Sequence, residues 1–231
     1  MDIKLDFTDI LMSTLHDTKN SLGLLFNTME EVTDSYEDQN SPLYQRFCML
    51  QYEIKRLNHS LIRLLTLYKS DKSRLLVHID YYSVHDLIED IVLQNESLFG
   101  SRGIEIEMEC PEDLFWIFDK NLVGGVLDNV LNNAFRYTRD RVKISANKED
   151  NGYLAIRIED DGTGYPESML IYDKEHPQYK KITSFNTGST GLGLYFSLMI
   201  AKLHTNEDRK GYITMDNGGE YGGGVFTIFI P

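Results

Sequence analysis

Two glycine-rich clusters in the second half of the chain have the residue types of an anion-binding site. The first, EDDGTGYP, directly follows a predicted strand and contains Asp160, Gly162 and Gly164. The second, NTGSTGLGL, directly precedes a predicted helix and contains Gly188, Gly191, Gly193 and Leu194. Glycine lets the backbone approach a ligand closely, and a helix that begins after such a loop presents free N–H groups to phosphate. Together the clusters indicate a nucleotide site, although a tight turn explains either one alone equally well.

A pair of asparagines adds metal-binding chemistry to these clusters. Asn129 and Asn133 stand four residues apart in the predicted helix LDNVLNNAFRYT, so they share one helical face. An isolated pair is most simply two solvated helix residues, but amide oxygens suit a Mg²⁺ ion that keeps several waters and bridges phosphates. Arg136 and Tyr137 follow and supply a cation for phosphate and a ring for a base. This helix is therefore predicted to bind the phosphates with a metal ion.

His16 has the setting of a nucleophile among the six histidines. It follows Leu15, which belongs to the apolar seam of a predicted helix, so its ring should project toward solvent. Asp17 is adjacent, and Asn20 lies one turn further on. A neutral imidazole is a competent nucleophile near neutral pH, and a neighbouring carboxylate can orient its second ring nitrogen. For the other histidines a solvated or partly packed ring is the simpler expectation.

The element that carries His16 is predicted to be the first arm of a helical hairpin. Apolar residues follow helical spacing in two stretches: Leu11, Leu15, Leu22, Leu25, Met29 and Val32, then Phe47, Leu50, Ile54, Leu57, Leu61, Leu64 and Tyr68. The polar stretch YEDQNSP separates them, and its proline breaks or begins a helix. Because further apolar residues widen the stripe beyond what two helices cover, we expect a four-helix bundle made by a homodimer.

The glycine clusters and the asparagines belong to a predicted α/β domain. Short segments rich in β-branched and aromatic residues predict strands: VHIDYYS, IEIEMEC, LFWIFD, VKISANK, YLAIRIED, YITMDNG and VFTIFIP. Helical stretches lie between them at 84–99, 121–137 and 192–203. The predicted fold class is therefore α+β, with a hairpin domain over residues 1–72 and a sandwich of one sheet and its helices over residues 75–231.

Composition excludes several classes of protein. The 231 residues are 42% hydrophobic and 26% charged, as in ordinary globular domains. The net charge of −13 leaves no basic stripe for nucleic acid. No uncharged apolar run approaches the ~20 residues that cross a bilayer, and the N-terminus lacks a signal-peptide pattern. We therefore expect a cytoplasmic protein without membrane insertion, in which Cys48 and Cys110 are reduced thiols.

The order of the motifs is recognisable. NxxxNAxRYT, then DxGxG, then GxxGxGL and the terminal GGGVFTIFIP resemble the catalytic, ATP-binding domain of sensor histidine kinases of the GHKL superfamily. This resemblance covers essentially all of residues 75–231 and implies ATP and Mg²⁺ as ligands. The hairpin resembles the dimerisation and phosphoacceptor domain of the same family. The whole chain is therefore similar to a histidine kinase core.

For the nucleotide, the resemblance implies a division of roles. Asp160 would accept a hydrogen bond from the adenine amino group, and Gly162 and Gly164 would allow the base to lie close. Tyr137 would pack on the nucleotide. Segment 165–187, which includes Lys180 and Lys181, would be a mobile lid.

For the phosphates, the resemblance assigns the remaining motif residues. Asn129 and Asn133 would hold the Mg²⁺–triphosphate group, and Arg136 would contact a phosphate. The loop that closes over the phosphates would be formed by Gly188, Gly191, Gly193 and Leu194.

The resemblance also implies a reaction for His16. The ring would be phosphorylated by ATP and would pass the phosphoryl group to an aspartate in the receiver domain of a response regulator. Asp17 would orient the ring, and Asn20 would help to position water when the regulator is dephosphorylated. Because the chain starts only fifteen residues before His16, its signal would arrive through a separate sensor protein, unless the chain is an excised core.

Two positions depart from the family pattern. Ser21 stands where many members have proline, so the usual kink of the first helix should be reduced. Val225 stands where many members have threonine, which should remove one water-mediated contact with adenine.

Three other functions compete with the histidine kinase. A chaperone-type or repair-type GHKL ATPase carries a glutamate base at the position of Asn129, and an amide cannot take a proton from water. A serine kinase of the anti-sigma type lacks the hairpin. A phosphorelay adaptor dimer with a weak or inactive nucleotide site is opposed by the intact motifs, and a measurement of ATP binding separates it from a kinase.

Overall fold

The protein divides into two compact units, Met1–Leu75 and Leu76–Pro231. The structure, a computed structural model, describes residues 7–38, 41–71, 76–170 and 192–231. No described helix has both the length and the apolar content that crossing a bilayer requires.

The first unit is a hairpin of two long helices, α1 (Phe7–Asp34) and α2 (Pro42–Asp71). The Ser41 hydroxyl accepts a hydrogen bond from the Tyr44 N–H at 3.1 Å, and Pro42 occupies the first helical position, so the start of α2 is capped. Tyr36, in the connection, stacks on Tyr44 and meets Phe47 edge to face. These rings fix the turn between the helices.

The hairpin buries one apolar face and leaves another exposed. On α2, Tyr44, Cys48 and Tyr52 are buried at four-residue spacing. The predicted seam residues Leu50, Leu57 and Leu64, at seven-residue spacing, are instead 41–52% exposed. Within one chain, therefore, these leucines are not covered.

The second unit is an α/β sandwich. Its elements are β1 (Asp80–Ser83), α3 (Val84–Gly100), β2 (Glu105–Glu109), β3 (Phe115–Phe118), α4 (Lys120–Tyr137), β4 (Arg141–Lys148), β5 (Leu154–Asp160), α5 (Leu192–Leu203), β6 (Thr205–Asn206), β7 (Arg209–Lys210), β8 (Tyr212–Gly218) and β9 (Gly223–Ile230), with a 3₁₀ turn at Glu167–Met169. The main sheet has the order β2-β4-β5-β9-β8, and only β2 and β4 pair in parallel.

The two faces of this sheet differ in polarity. Alternate residues of β4 are buried, namely Val142, Ile144 and Ala146, and form part of the core together with side chains of the helices. Lys143 belongs to the opposite face, where its ammonium pairs with Glu109 at 2.6 Å and Glu220 at 2.9 Å. The helices therefore cover one face, and the other carries charged pairs.

Candidate functional site

Helix α4 is held firmly at its start. Asp119 is the N-cap, and its Oδ1 accepts hydrogen bonds from the N–H groups of Asn121 and Leu122 at 3.1 and 3.0 Å. Its Oδ2 accepts a third from the N–H of His78 at 2.8 Å. The buried ring of His204 accepts the Asp119 N–H on Nε2 at 3.0 Å. The start of the helix that carries the asparagines is thus anchored to the residue that follows α5.

The two predicted metal ligands differ in environment. Asn129 is only 3% exposed, whereas Asn133, one turn later, is exposed. A Cβ placed on Gly193 would lie 2.6 Å from the Asn129 Oδ1, so only glycine fits where α5 passes Asn129. The structure therefore brings Gly193 and Asn129 together. Gly188 and Gly191 lie outside the described residues.

The end of α4 meets the loop that follows β5. Gly162 packs so closely on the carbonyl oxygen of Tyr137 that no side chain fits there. The Asp161 carboxylate accepts hydrogen bonds from the N–H groups of Arg139 and Asp140 at 2.9–3.1 Å. Desolvation opposes ionisation of Asp161, but these backbone donors outweigh it and lower its pKa. Asp161 therefore ties the two motifs together.

Arg136 and Tyr137 are both exposed at the end of α4. The Arg136 guanidinium carbon lies 5.7 Å from the centre of the Tyr137 ring. Both side chains are accessible to a ligand.

Asp160 is the buried carboxylate of the site, with 8% of its surface exposed. Its Oδ1 accepts hydrogen bonds from the N–H groups of Gly162 at 2.8 Å and Gly224 at 3.1 Å. Burial raises the pKa of Asp160 in spite of these two donors. A Cβ on Gly224 would lie 2.9 Å from the Asp160 Oδ2, so a side chain at this position would crowd that oxygen. Since Oδ1 already accepts two backbone donors, Oδ2 is the better acceptor for a ligand.

The structure changes the expectation for Val225. Val225 pairs with Glu159, so Gly224 is the residue opposite Asp160 in the sheet. Because side chains alternate along a strand, Val225 faces the other side of the sheet. The residue of β9 that adjoins the candidate base site is therefore Gly224, and Val225 removes no contact there.

Two residues near Asp160 were not identified from the sequence. Tyr165, expected to begin a lid, has its backbone held by the side chain of Asn217 on β8. The signal that was overlooked is the Asn-Gly-Gly at the end of YITMDNG, since asparagine side chains commonly bond to the backbone near turns. Of the predicted lid, residues 171–187, which include Lys180 and Lys181, lie outside the described residues.

His16 is well exposed on α1, with 65% of its side chain accessible. Its Nδ1 lies 3.8 Å from the Asp17 Oδ1 and 3.3 Å from the Asn20 Nδ2. Both neighbours are therefore on the Nδ1 side of the ring. Helix α1 continues without interruption through Ser21, whose hydroxyl bonds to the Asp17 carbonyl at 3.0 Å.

Comparison with known proteins gives one family and several relatives. Residues 118–231 match the family described as histidine kinase-, DNA gyrase B-, and HSP90-like ATPase. The sensor protein SrrB of Staphylococcus aureus is 24% identical over 200 residues, which are 85% of this chain and 34% of that protein. The chain thus spans about a third of the length of this curated relative.

Solved structures resemble both units. The histidine kinase AdeS of Acinetobacter baumannii superposes with a TM-score of 0.56 at 18% identity, over 91% of this chain and 95% of that one. Full-length ShkA in complex with AMPPNP gives a TM-score of 0.62 at 17% identity, over 96% of this chain and 45% of that one. These similarities confirm the predicted α+β fold, a helical hairpin followed by an ATP-binding type of α/β domain.

Proposed function

The chain resembles a sensor histidine kinase core, and on this premise we propose that it is an ATP-dependent protein-histidine kinase. It would phosphorylate His16 and then pass the phosphoryl group to an aspartate in the receiver domain of a response regulator. The observation that best supports this proposal is the buried Asp160 carboxylate, with glycine on both sides of the space around it. Such a space accepts a flat base close to the backbone.

The nucleotide is assigned to the second unit. Asp160 would accept the adenine amino group on Oδ2, while Gly162 and Gly164 keep the neighbouring backbone free of side chains. Tyr137, exposed at the end of α4, would pack against the nucleotide. Gly193, Gly188, Gly191 and Leu194 are assigned to the phosphate loop.

The residues of α4 fit a magnesium ion held mainly by phosphates. Asn129 and Asn133 supply two neutral amide oxygens on one helical face, and Mg²⁺ commonly keeps waters and phosphates as its other ligands. Arg136 would contact a phosphate from the same end of the helix. When bound, the ion neutralises the charge of the phosphates. Asn129 also favours transfer over hydrolysis, because its amide cannot take a proton from water.

The chemistry assigned to His16 is a direct displacement. The Nε2 lone pair attacks the γ-phosphorus, so an N–P bond forms while the P–O bond to ADP breaks and ADP leaves with the electron pair. Asp17, whose carboxylate is next to Nδ1, would hold the ring and the proton on Nδ1 during this step, whereas Asn20 would act when the regulator is dephosphorylated. Positioning of the ring is most of what such a reaction requires from the protein.

The exposed leucines of the hairpin support a homodimer. Leu50, Leu57 and Leu64 recur every seven residues on one side of α2, and a second hairpin would cover them in a four-helix bundle.

Labelling with γ-labelled ATP and Mg²⁺ tests the proposal. We expect an acid-labile, base-stable label on the wild-type protein and none on His16→Ala or Asn133→Ala. His59→Ala, on the second helix of the same hairpin, is the matched control and should keep the label. A label that survives His16→Ala would overturn the assignment of the acceptor, and absence of both the label and ATP binding would favour the adaptor function.

A further inference from the structure

The side chain of Asn217 makes two hydrogen bonds to the backbone of Tyr165. Its Oδ1 accepts a hydrogen bond from the Tyr165 N–H at 2.6 Å, and its Nδ2 donates one to the Tyr165 carbonyl at 2.8 Å. One amide thus satisfies both backbone groups of a residue 52 positions away in the chain. This is the contact that joins the loop after β5 to the end of β8.

Gly164 makes this contact possible. It has a positive φ of 74°, and a Cβ there would lie 2.6 Å from the Asn217 Oδ1. A side chain at position 164 would therefore push Asn217 away from Tyr165. The second glycine of DxGxG consequently serves the Asn217 contact as well as the path of the loop.

The ring of Tyr165 lies next to the candidate base site. Its Cε2 and Cδ2 atoms are 3.0 and 3.4 Å from the point that a Cβ of Gly224 would occupy, and the same point is 2.9 Å from the Asp160 Oδ2. Burial, with a smaller effect of the Asp160 charge, raises the pKa of Tyr165, so its phenol stays neutral. The ring and the carboxylate therefore border one space.

We propose that Asn217 is a positioning residue that fixes the Tyr165 ring as one wall of the base site and so sets its affinity for adenine. The proposal rests on the proposed function, because it takes the space beside Asp160 as the base site. Asn217 would act only through the placement of the ring, and its effect should appear with ligands that carry a base.

Binding measurements with Asn217→Ala test this inference. With Mg²⁺ present, we expect the Kd for AMPPNP to rise about tenfold, which is what the loss of about 1.4 kcal/mol in positioning hydrogen bonds gives. The affinity for tripolyphosphate, which has no base, should not change. Asn147→Ala, on β4 of the same sheet, is the matched control and should leave both affinities unchanged.

A double-mutant cycle separates positioning of the ring from a general loosening of the loop. In a Tyr165→Ala background the backbone contact is retained but the ring is absent, so adding Asn217→Ala should change the Kd for AMPPNP less than twofold. An additive effect, or equal weakening of tripolyphosphate, would overturn the proposal.

Hydrogen exchange of the protein without nucleotide keeps the two proposals apart. Asn217→Ala should speed the exchange of the Tyr165 N–H while the core strands stay protected. If the wild-type protein binds no AMPPNP, the proposed function fails and the role in base binding fails with it, yet the exchange rate still shows whether Asn217 holds Tyr165. If the wild type binds AMPPNP and Asn217→Ala binds it equally well, only the inference about Asn217 is wrong.

Discussion

The two units prepare their functional groups in opposite ways. In the hairpin, His16 is exposed, and its two polar neighbours, Asp17 and Asn20, come from the same turn of helix. In the second unit, Asp160 is buried and accepts hydrogen bonds from the loop that follows its own strand and from β9. A local sequence can build the first arrangement, whereas only the complete fold can build the second.

This difference predicts where substitutions act. In the α/β unit, a change near the site should alter ligand binding and folding of the single chain. In the hairpin, a change on the exposed apolar face should alter only association with another molecule, because none of the described residues covers that face. The following experiments test this contrast.

Asp160→Asn should have the largest effect. The amide keeps the size of the carboxylate but turns one acceptor into a donor, and a hydrogen bond to a buried charged group contributes about 2–3 kcal/mol. We expect the Kd for AMPPNP, measured by calorimetry, to rise roughly a hundredfold. Asp150→Asn, in the turn between β4 and β5, is the control. Unchanged binding by Asp160→Asn would remove the carboxylate from the base site.

Gly162→Ala should destabilise the α/β unit. The added methyl would overlap the backbone carbonyl of Tyr137, which cannot move as a flexible side chain can. Such overpacking costs about 1–3 kcal/mol and should lower the Tm of this unit. Gly100→Ala is the matched control, because a Cβ at Gly100 meets nothing within 4 Å. Equal Tm values for the two variants would show that the contact between Gly162 and Tyr137 is looser than described.

Leu57→Lys should act through association alone. Leu57 is 50% exposed in the single chain, so the change costs little there, but in a four-helix bundle it would bury a charge or lose about 1–2 kcal/mol of apolar contact. We expect the dimer fraction, measured by light scattering, to fall while helicity at high concentration is kept. Leu93→Lys, at a leucine of α3 that is 62% exposed, should leave association unchanged. A monomeric wild-type protein would refute the homodimer directly.

His204 should give the smallest effect, as a pH dependence of stability. Burial lowers its pKa from the ordinary 6.5, so below that pH the unfolded state binds more protons than the folded state. The stabilisation is complete above pH 6.5 and is lost as the pH falls, with the Asp119 N–H bond of about 1 kcal/mol broken on protonation. Urea unfolding measures the free energy of unfolding at pH 7.5 and at pH 5.5. The difference between these two values should be smaller for His204→Gln than for the wild type. His85→Gln, a half-buried histidine on α3, should behave as the wild type does.

Most elements followed from local patterns in the sequence. The strands of the sheet and helices α3, α4 and α5 lie where alternation and helical spacing predict them, within one or two residues. The β6–β7 hairpin was missed because each strand has only two residues and TNEDRK has the composition of a turn. The helical spacing of apolar residues also does not indicate which face of α2 is buried within the chain. Cys48 and Tyr52 are buried whereas Leu50 and Leu57 are exposed, because the rotation of each helix about its own axis decides which face meets the other helix.

The site was predictable in its motifs but not in its contacts. Asp160, Asn129 and Gly193 could be named because their residue types and spacing are specific. Asn217 could not be linked to Tyr165, because the contact joins residues 52 positions apart and no short pattern records it. The expectation that Val225 adjoins the base was wrong for a similar reason. It depended on the register of β9, and a shift of one residue in register exchanges the faces of a strand.

The carboxylate of Asp161 has a consequence for ligand shape. By accepting hydrogen bonds from the turn after α4, Asp161 fixes the distance between Asp160 and α4, the helix that carries the two asparagines. Because these hydrogen bonds fix the separation, a ligand of the wrong length can satisfy one end only. Nucleotides with a shortened or lengthened sugar-phosphate connection should therefore lose affinity even when the base and the terminal charge are kept.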